Sequence, residues 1–410
     1  MGLTAAIVAA SLAVTPGMLS KAPPPGGAGK APAGALNDGL LLWYPLTTGT
    51  SVVVNRGPTA TVTAASPPDC LSDGAWETLS AGQLCTDATK GARFNDAVTN
   101  YALYSEDLSN AAWTLTTATV TTGQADPRGN TAAQTLTETA TGGKACQTVT
   151  ATASATYTLA AALKAGSAVT ARISLAGDVT AESIGTCSVT TSWPYTETGR
   201  CYKSLTLGAS DTTITACIYA GDGATSSQAV DVFGVSLTKT SVPHWYCPTT
   251  SASATCAISY ATVDQGEGVA WQAAAGTIET TFTTDFDPTK NVAYLWSIDD
   301  GTSNNFIFDR LKDGAQWRIA VFEYANGSAL YAWYPGSLTA GTYTLRHAWD
   351  TSRGAELWLG GVSKATDPDT NLAAGGTRTM YLGWSGYAGG GYGSDVWLRD
   401  LKVWRRRIAP

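Results

Sequence analysis

Turn chemistry between residues 277 and 334 constrains the fold of this chain more than any other feature. The strand-like runs "TIETTFTT", "NVAYLWSI", "NNFIFDRL", "AQWRIAVFEY" and "ALYAWY" follow one another there, and their joints carry Asp299-Asp300-Gly301, Asp313-Gly314 and Asn326-Gly327. Asp-Gly and Asn-Gly suit type I′ turns, whose two central residues need positive φ and whose twist matches that of paired strands. Four consecutive strands are therefore predicted to form an antiparallel meander. "YTLRHAW", "AELWLGG", "TRTMYLGW" and "SDVWLRDLKVW" continue the series, which supplies enough strands for a β-sandwich.

Composition agrees. The 410 residues leave room for two or three domains, and the 14 Trp and 17 Tyr, against 3 Met and 2 His, favour half-buried pleated surfaces. Charged residues are 14% of the chain and the formal net charge is −7. Phosphate binding needs clustered Lys and Arg, so the composition argues against a nucleic-acid partner. The one basic run, Arg405–Arg407, reads as a solvated tail. Eight cysteines, at positions 70, 85, 146, 187, 201, 217, 247 and 256, include no CxxC pair, so no zinc site is expected. Their even number fits four disulfides in a protein that works outside a reducing cytosol, with buried thiols as the other reading. Cys70–Cys85, Cys187–Cys201 and Cys247–Cys256 are local pairs among many open connectivities, and Cys146 and Cys217 complete the candidates.

The N-terminal apolar stretch Leu3–Val14 is too short to span a bilayer, and no Lys or Arg precedes it as in a signal peptide. It reads as a short anchoring helix that stops near Pro16-Gly17, followed by a Pro/Gly linker through residue 37. A tether of this kind suits a protein plugged into a larger assembly.

"DGLLLWYPL" and "GARF" near one end, with "AELWLGG" and "SDVWLRDLKVW" near the other, resemble a laminin-G-like, concanavalin A-like lectin sandwich. That resemblance implies a last strand lying beside the first. The stretch between is different in kind. "NYALYSEDLSNAAW", "DPRGNTAAQTLTET", "ATYTLAAALKAG" and "DVFGVSLTKTSVPHWYCPTTSASATC" resemble a module of tailed-bacteriophage fibre and virion proteins related to jelly-roll carbohydrate-binding modules. The extra cysteines and the "PHWYCPTT" closure depart from that pattern. Together the resemblances imply an all-β protein of two β-sandwich or jelly-roll domains. Residues 1–37 are the anchor and linker, 38–98 plus 262–410 the lectin-like sandwich, and 99–261 an inserted jelly roll. Tandem domains after a small N-terminal β unit are the alternative. Insertion is favoured because three or four strands alone would leave one face bare.

Catalysis needs a constellation, and none stands out. The nearest approach to a glycosidase acid pair is Asp285-Phe286-Asp287, which runs into Pro288 without a third acid. His244 and His347 have no evident nucleophile near them, and "GGGYG" at 389–393 reads as a loop. Asp367, Asp369 and Asn371 alternate as in a calcium loop but lack the later glutamate and glycine, so they read as a turn. No enzyme activity and no cofactor are expected. Sugar binding is the better prospect, because aromatic rings stack on sugar faces while carboxylates and amides orient the hydroxyls. Loop aromatics that fit are Trp384, Tyr387 and Tyr392, then Trp333 and Tyr334, then Trp193 and Tyr195. Oligomer packing is the competing reading for each. Trp43, Trp358, Trp397 and Trp404 sit in alternating strands and read as core. Tyr101, Tyr104 and Trp113 read as packing residues of the inserted jelly roll, and Glu106-Asp107 as turn residues.

The phage resemblance implies a virion structural protein, a tail fibre, spike or capsid-surface appendage, assembled in the host cytoplasm and displayed on the particle. It would contact other virion proteins through its N-terminal segment, form a homotrimer, and attach to host cell-surface polysaccharide. A secreted lectin, or a capsid decoration protein without a glycan, are the alternatives.

Overall fold

The computed structural model describes residues 40–44, 60–64, 68–72, 75–81, 83–257, 259–263, 275–285, 292–299, 305–312, 318–325, 328–334, 338–368, 379–383, 396–404 and 406–408. The anchoring helix and linker expected over 1–37 lie outside them. The described residues are almost entirely β, with one 3-10 turn at Glu197–Gly199, so the all-β expectation holds. The chain divides into two compact units. One comprises residues 1–65, 81–96 and 259–410, and the other residues 66–80 and 97–258.

The first unit is a sandwich of two antiparallel sheets. One sheet runs Val362–Asp367, Gly354–Leu359, Gly341–Asp350, Ala275–Thr284, Val396–Trp404, Gly91–Phe94 and Cys85–Asp87. Leu40–Tyr44 also pairs with Val396–Trp404, Leu40 opposite Trp404, which puts the last strand beside the first. The other sheet contains the meander. Val292–Asp299, Asn305–Lys312, Arg318–Ala325 and Ser328–Tyr334 pair in chain order, with Ala325 facing Ser328 across Asn326-Gly327. Phe94, Ile278, Phe282, Trp296, Trp349 and Leu398 share the core. His347, fully buried, packs against the rings of Trp296 and Trp349. Trp358, Trp397 and Trp404 are buried as well. A bulge re-aims the last strand: Asp400 has φ +55° where the register against Ala275–Thr284 slips, a conformation that aspartate tolerates better than most residues.

The second unit is a jelly-roll-like sandwich. Its first sheet runs Cys201–Thr206, Thr156–Ala165, Ala229–Thr238, Ala133–Glu138 and Ala118–Gln124, with Val98–Asn100 added beside Ala229–Thr238 and Ala254–Cys256 beside Val98–Asn100. The second runs Ser183–Ser188, Thr170–Gly177, Thr213–Tyr219, Lys144–Thr150 and Thr114–Thr116. Leu136, Leu159, Ile173, Ile214, Val232 and Leu237 fill the space between the sheets. Three disulfides lie here. Cys187–Cys201 and Cys247–Cys256 are local pairs, and Cys146–Cys217 joins directly opposed residues of neighbouring strands. Cys70 and Cys85 are also disulfide-bonded, and no cysteine is free.

A second apolar cluster forms around Leu71, Trp76, Ala162, Trp193, Phe233 and Tyr246. Trp76 meets the edges of Phe233 and Tyr246, with centroids 5.0 and 5.9 Å away. This packing explains why the hairpin of Cys70–Ser72 and Ala75–Glu77 groups with the second unit, although the sequence reading puts it in the lectin-like sandwich. Gly234 makes the fit possible. It sits at the bulge of Ala229–Thr238 with φ +60°, and a Cβ there would stand 3.1 Å from the Trp76 ring.

Candidate functional site

The structure buries one of the candidate aromatics. Trp193, read as a loop aromatic able to stack on a sugar, is instead 8% exposed. Its ring meets Phe233 in a T-shaped contact and lies under the Lys164 ammonium, which leaves little of it open to a ligand; Tyr195 is half-buried against the same cluster. Asp285 follows Ala275–Thr284 and accepts hydrogen bonds from Lys90 Nζ at 2.6 Å, Arg93 at 2.9 Å and Trp397 Nε1 at 2.6 Å. Burial opposes its ionisation, but the Arg93 and Lys90 charges outweigh burial and hold its pKa below the ordinary value. A carboxylate clamped in this way is a structural counter-ion. Its sequence partner Asp287 lies outside the described residues, as do Trp384, Tyr387, Tyr392, Asp369 and Asn371. Trp333 and Tyr334 end the strand Ser328–Tyr334, and Asp367 ends Val362–Asp367. Among the described residues no group of three or more His, Cys, Asp or Glu side chains could hold a metal ion.

A different site emerges in the second unit, and the chain builds it from Asn100 onward. The fully buried Asn100 side chain donates to the carbonyls of Val235 and Cys247 and accepts from the amides of Ala102 and Leu237. All its main valences are used, which pins the end of Val98–Asn100 against two other segments. The chain then runs beside 249–250, with Tyr104 N bonded to Thr250 O at 2.8 Å. Tyr104 takes φ +49°, an uncommon conformation for a bulky residue and one that the surrounding bonds hold in place. Cys247–Cys256 closes the facing loop.

Between these segments lies a cleft of about 520 Å³, lined by Tyr104, Glu106, Asp107, Thr249, Thr250 and Ser253 among others. Both Glu106 oxygens accept from Arg128 Nη2 at 2.9 Å, and Oε1 also accepts from Tyr246 Oη at 2.9 Å. Arg128 is delivered by the "DPRGN" turn, in which Asp126 accepts from the amides of Arg128, Asn130 and Ala132. Its guanidinium lies 4.6 Å from the Phe233 centroid and reaches Asp69 at 3.4 Å. Asp69 is 2% exposed and accepts from Trp76 Nε1 at 2.9 Å. Burial pushes its pKa up to about 6, against the pull of Trp76 and Arg128. Asp107 behaves oppositely. Burial works against its charge, but hydrogen bonds from Ser109 and Gln134 win and lower its pKa. Its bonds from Ser109 N, Ser109 Oγ and Gln134 Nε2 all converge on Oδ1, so Oδ2 takes part in none of the three.

The arrangement places a tyrosine, two carboxylates and several hydroxyls around one opening, the inventory of a polyol-binding site. In the sequence Glu106-Asp107 reads as a pair of turn residues. Asp107 does close a turn with Ser109, yet it also faces the cleft, and Glu106 belongs to a charge cluster assembled from residues 69, 126 and 128. Only the acidic pair beside "NYALY" signalled it in the sequence.

No family model matches this sequence, and no curated protein matches it. Among solved structures, the heptameric SAP-like pentraxin from Limulus polyphemus aligns at 18% identity over 33% of this chain and 65% of its own, with TM-score 0.27. The botulinum neurotoxin DC binding domain, solved with rat synaptotagmin II, aligns at 8% identity over 37% of this chain and 38% of its own, with TM-score 0.30. The receptor-binding domain of the botulinum neurotoxin C/D mosaic serotype aligns at 12% identity, also over 37% and 38%, with TM-score 0.30. This chain thus spans less than two thirds of each of these proteins.

Proposed function

We propose that this chain is a non-catalytic surface protein of a tailed-bacteriophage virion that attaches to host cell-surface polysaccharide. The observation that carries the binding half is the cleft of Tyr104, Glu106 and Asp107. These residues belong to "NYALYSEDLSNAAW", the stretch whose resemblance to phage virion modules supports the other half. The laminin-G-like resemblance of the first unit adds a second lectin-type sandwich to the same surface protein. Docking to other virion proteins falls to the N-terminal segment, and assembly as a homotrimer follows the same resemblance. Exposed apolar side chains support self-association: Ile184 and nearby Tyr202 are 43% and 41% exposed.

Binding of the purified chain to bacterial surface polysaccharide, measured with wild type and with Tyr104→Ala, tests the first half. A loss of about tenfold or more in the variant is expected; equal binding would sink the cleft as the site. Immunogold labelling of phage particles tests the second half. The oxidised cysteines favour a second reading, an exported lectin with no particle, because disulfides form outside the reducing cytosol in which virions assemble. A monomer with full polysaccharide binding and no particle association would select it.

A further inference from the structure

The charge of the cleft restricts which saccharide it can take. None of its ten lining residues is Lys, Arg or His, while Glu106 and Asp107 are both acidic. Arg128, which bonds Glu106, is not a lining residue. It is 14% exposed and is already shared among Glu106, Asp69 and Asp126, the last at 3.8 Å. Three carboxylates around one guanidinium leave that cluster net negative at neutral pH, where Asp69 is ionised. Asp107 adds a further negative charge that its hydrogen bonds stabilise, and it keeps Oδ2 outside those bonds. The polar lining is therefore rich in acceptors, with hydroxyls from Tyr104, Thr250 and Ser253 that can either donate or accept. An anionic ligand would meet like charge without a compensating cation, the arrangement by which interfaces reject wrong partners.

We infer that the cleft selects neutral or amine-bearing sugars, which bring hydroxyl or ammonium donors, and rejects sugars that carry carboxylate or phosphate. This selection rests on the reading of the cleft as a saccharide site. Sequence patterns could not show it, because the acids and the arginine that decide the charge lie at residues 69, 106, 107, 126 and 128 and meet only in the fold.

The test uses the full chain and three oligosaccharides of matched length: a neutral cello-oligosaccharide, a glucosamine oligomer and an oligogalacturonate, titrated calorimetrically at pH 6.5 in low salt. At least one of the first two should bind at least about tenfold more tightly than the galacturonate. Raising the salt should weaken the glucosamine oligomer and leave the neutral one unchanged, which separates ammonium from hydroxyl donors. Asp107→Asn keeps a side-chain acceptor for Ser109 and should narrow the preference over galacturonate to about threefold or less. Galacturonate binding as tight as the others, or a preference unchanged in Asp107→Asn, would overturn charge selection while leaving the saccharide site intact. Absence of binding to all three would overturn the saccharide reading and the selection with it.

Discussion

Asp69 is a buried carboxylate whose pKa is raised, opposite in sign to that of Asp107. An acid whose folded pKa stands above its unfolded value of 3.8 contributes stability that is complete below about pH 4 and lost as pH rises through about 6. The size is on the order of 2–3 kcal/mol. Asp107, with a lowered pKa, works the other way: its contribution is present above the unfolded pKa and lost as pH falls through the folded one. Asp69→Asn keeps an acceptor for Trp76 Nε1 and removes the titration. Thermal melts from pH 4 to 6.5 should accordingly show a flatter loss of Tm with rising pH in the variant; an unchanged slope would show that Asp69 does not titrate in this range. Trp76 supplies the other residue-scale prediction. It is 2% exposed and touches Phe233 and Tyr246, so Trp76→Ala should cost about 3–5 kcal/mol, read by denaturant unfolding of the second unit. A cost under 1 kcal/mol would mean that the hairpin at 70–77 is not held by this contact.

At the scale of elements, a bridged loop forms one wall of the cleft. Cys247–Cys256 closes the segment that carries Thr249 and Thr250. For so short a loop the chain-entropy account gives about 2–3 kcal/mol of stabilisation. Replacing both cysteines by serine should lower the Tm modestly and weaken saccharide binding more than Cys187→Ser/Cys201→Ser, which closes a loop away from the lining residues. Equal effects from the two pairs would break the link between this bridge and the site. Gly234 is the strand-scale counterpart. Alanine there would combine a strained positive φ with a Cβ 3.1 Å from Trp76, and should cost about 1–3 kcal/mol. A neutral Gly234→Ala in the same unfolding experiment would show that the bulge relaxes.

The two units raise a question of boundaries for the whole molecule. Ser66–Ser80 groups with residues 97–258, and its Trp76 covers Phe233 and Tyr246 on the outside of a sheet. A fragment of residues 97–258 would expose those rings, whereas residues 66–258 keep them covered. The longer fragment should melt several degrees higher, and dye binding to exposed apolar surface should be stronger in the shorter one. Identical melting would place the hairpin outside the folding unit.

Strand identity, the antiparallel meander and the local disulfides Cys187–Cys201 and Cys247–Cys256 were legible in the sequence. Alternation, Asn-Gly turns and short cysteine separations act over a few residues, where local sterics dominate. Cys146–Cys217 spans 71 residues and depended on strand register, which no local pattern reveals. The burial of Trp193 was likewise invisible, since a tryptophan beside a proline looks the same in a loop whether or not Phe233 and Lys164 pack against it. The cleft followed the same rule. Its acids are local, but Arg128, Tyr246 and the loop around Thr249 reach Glu106 only when strands far apart in the chain pair. Local chemistry determined the elements of this protein, and long-range packing decided which side chains face a ligand.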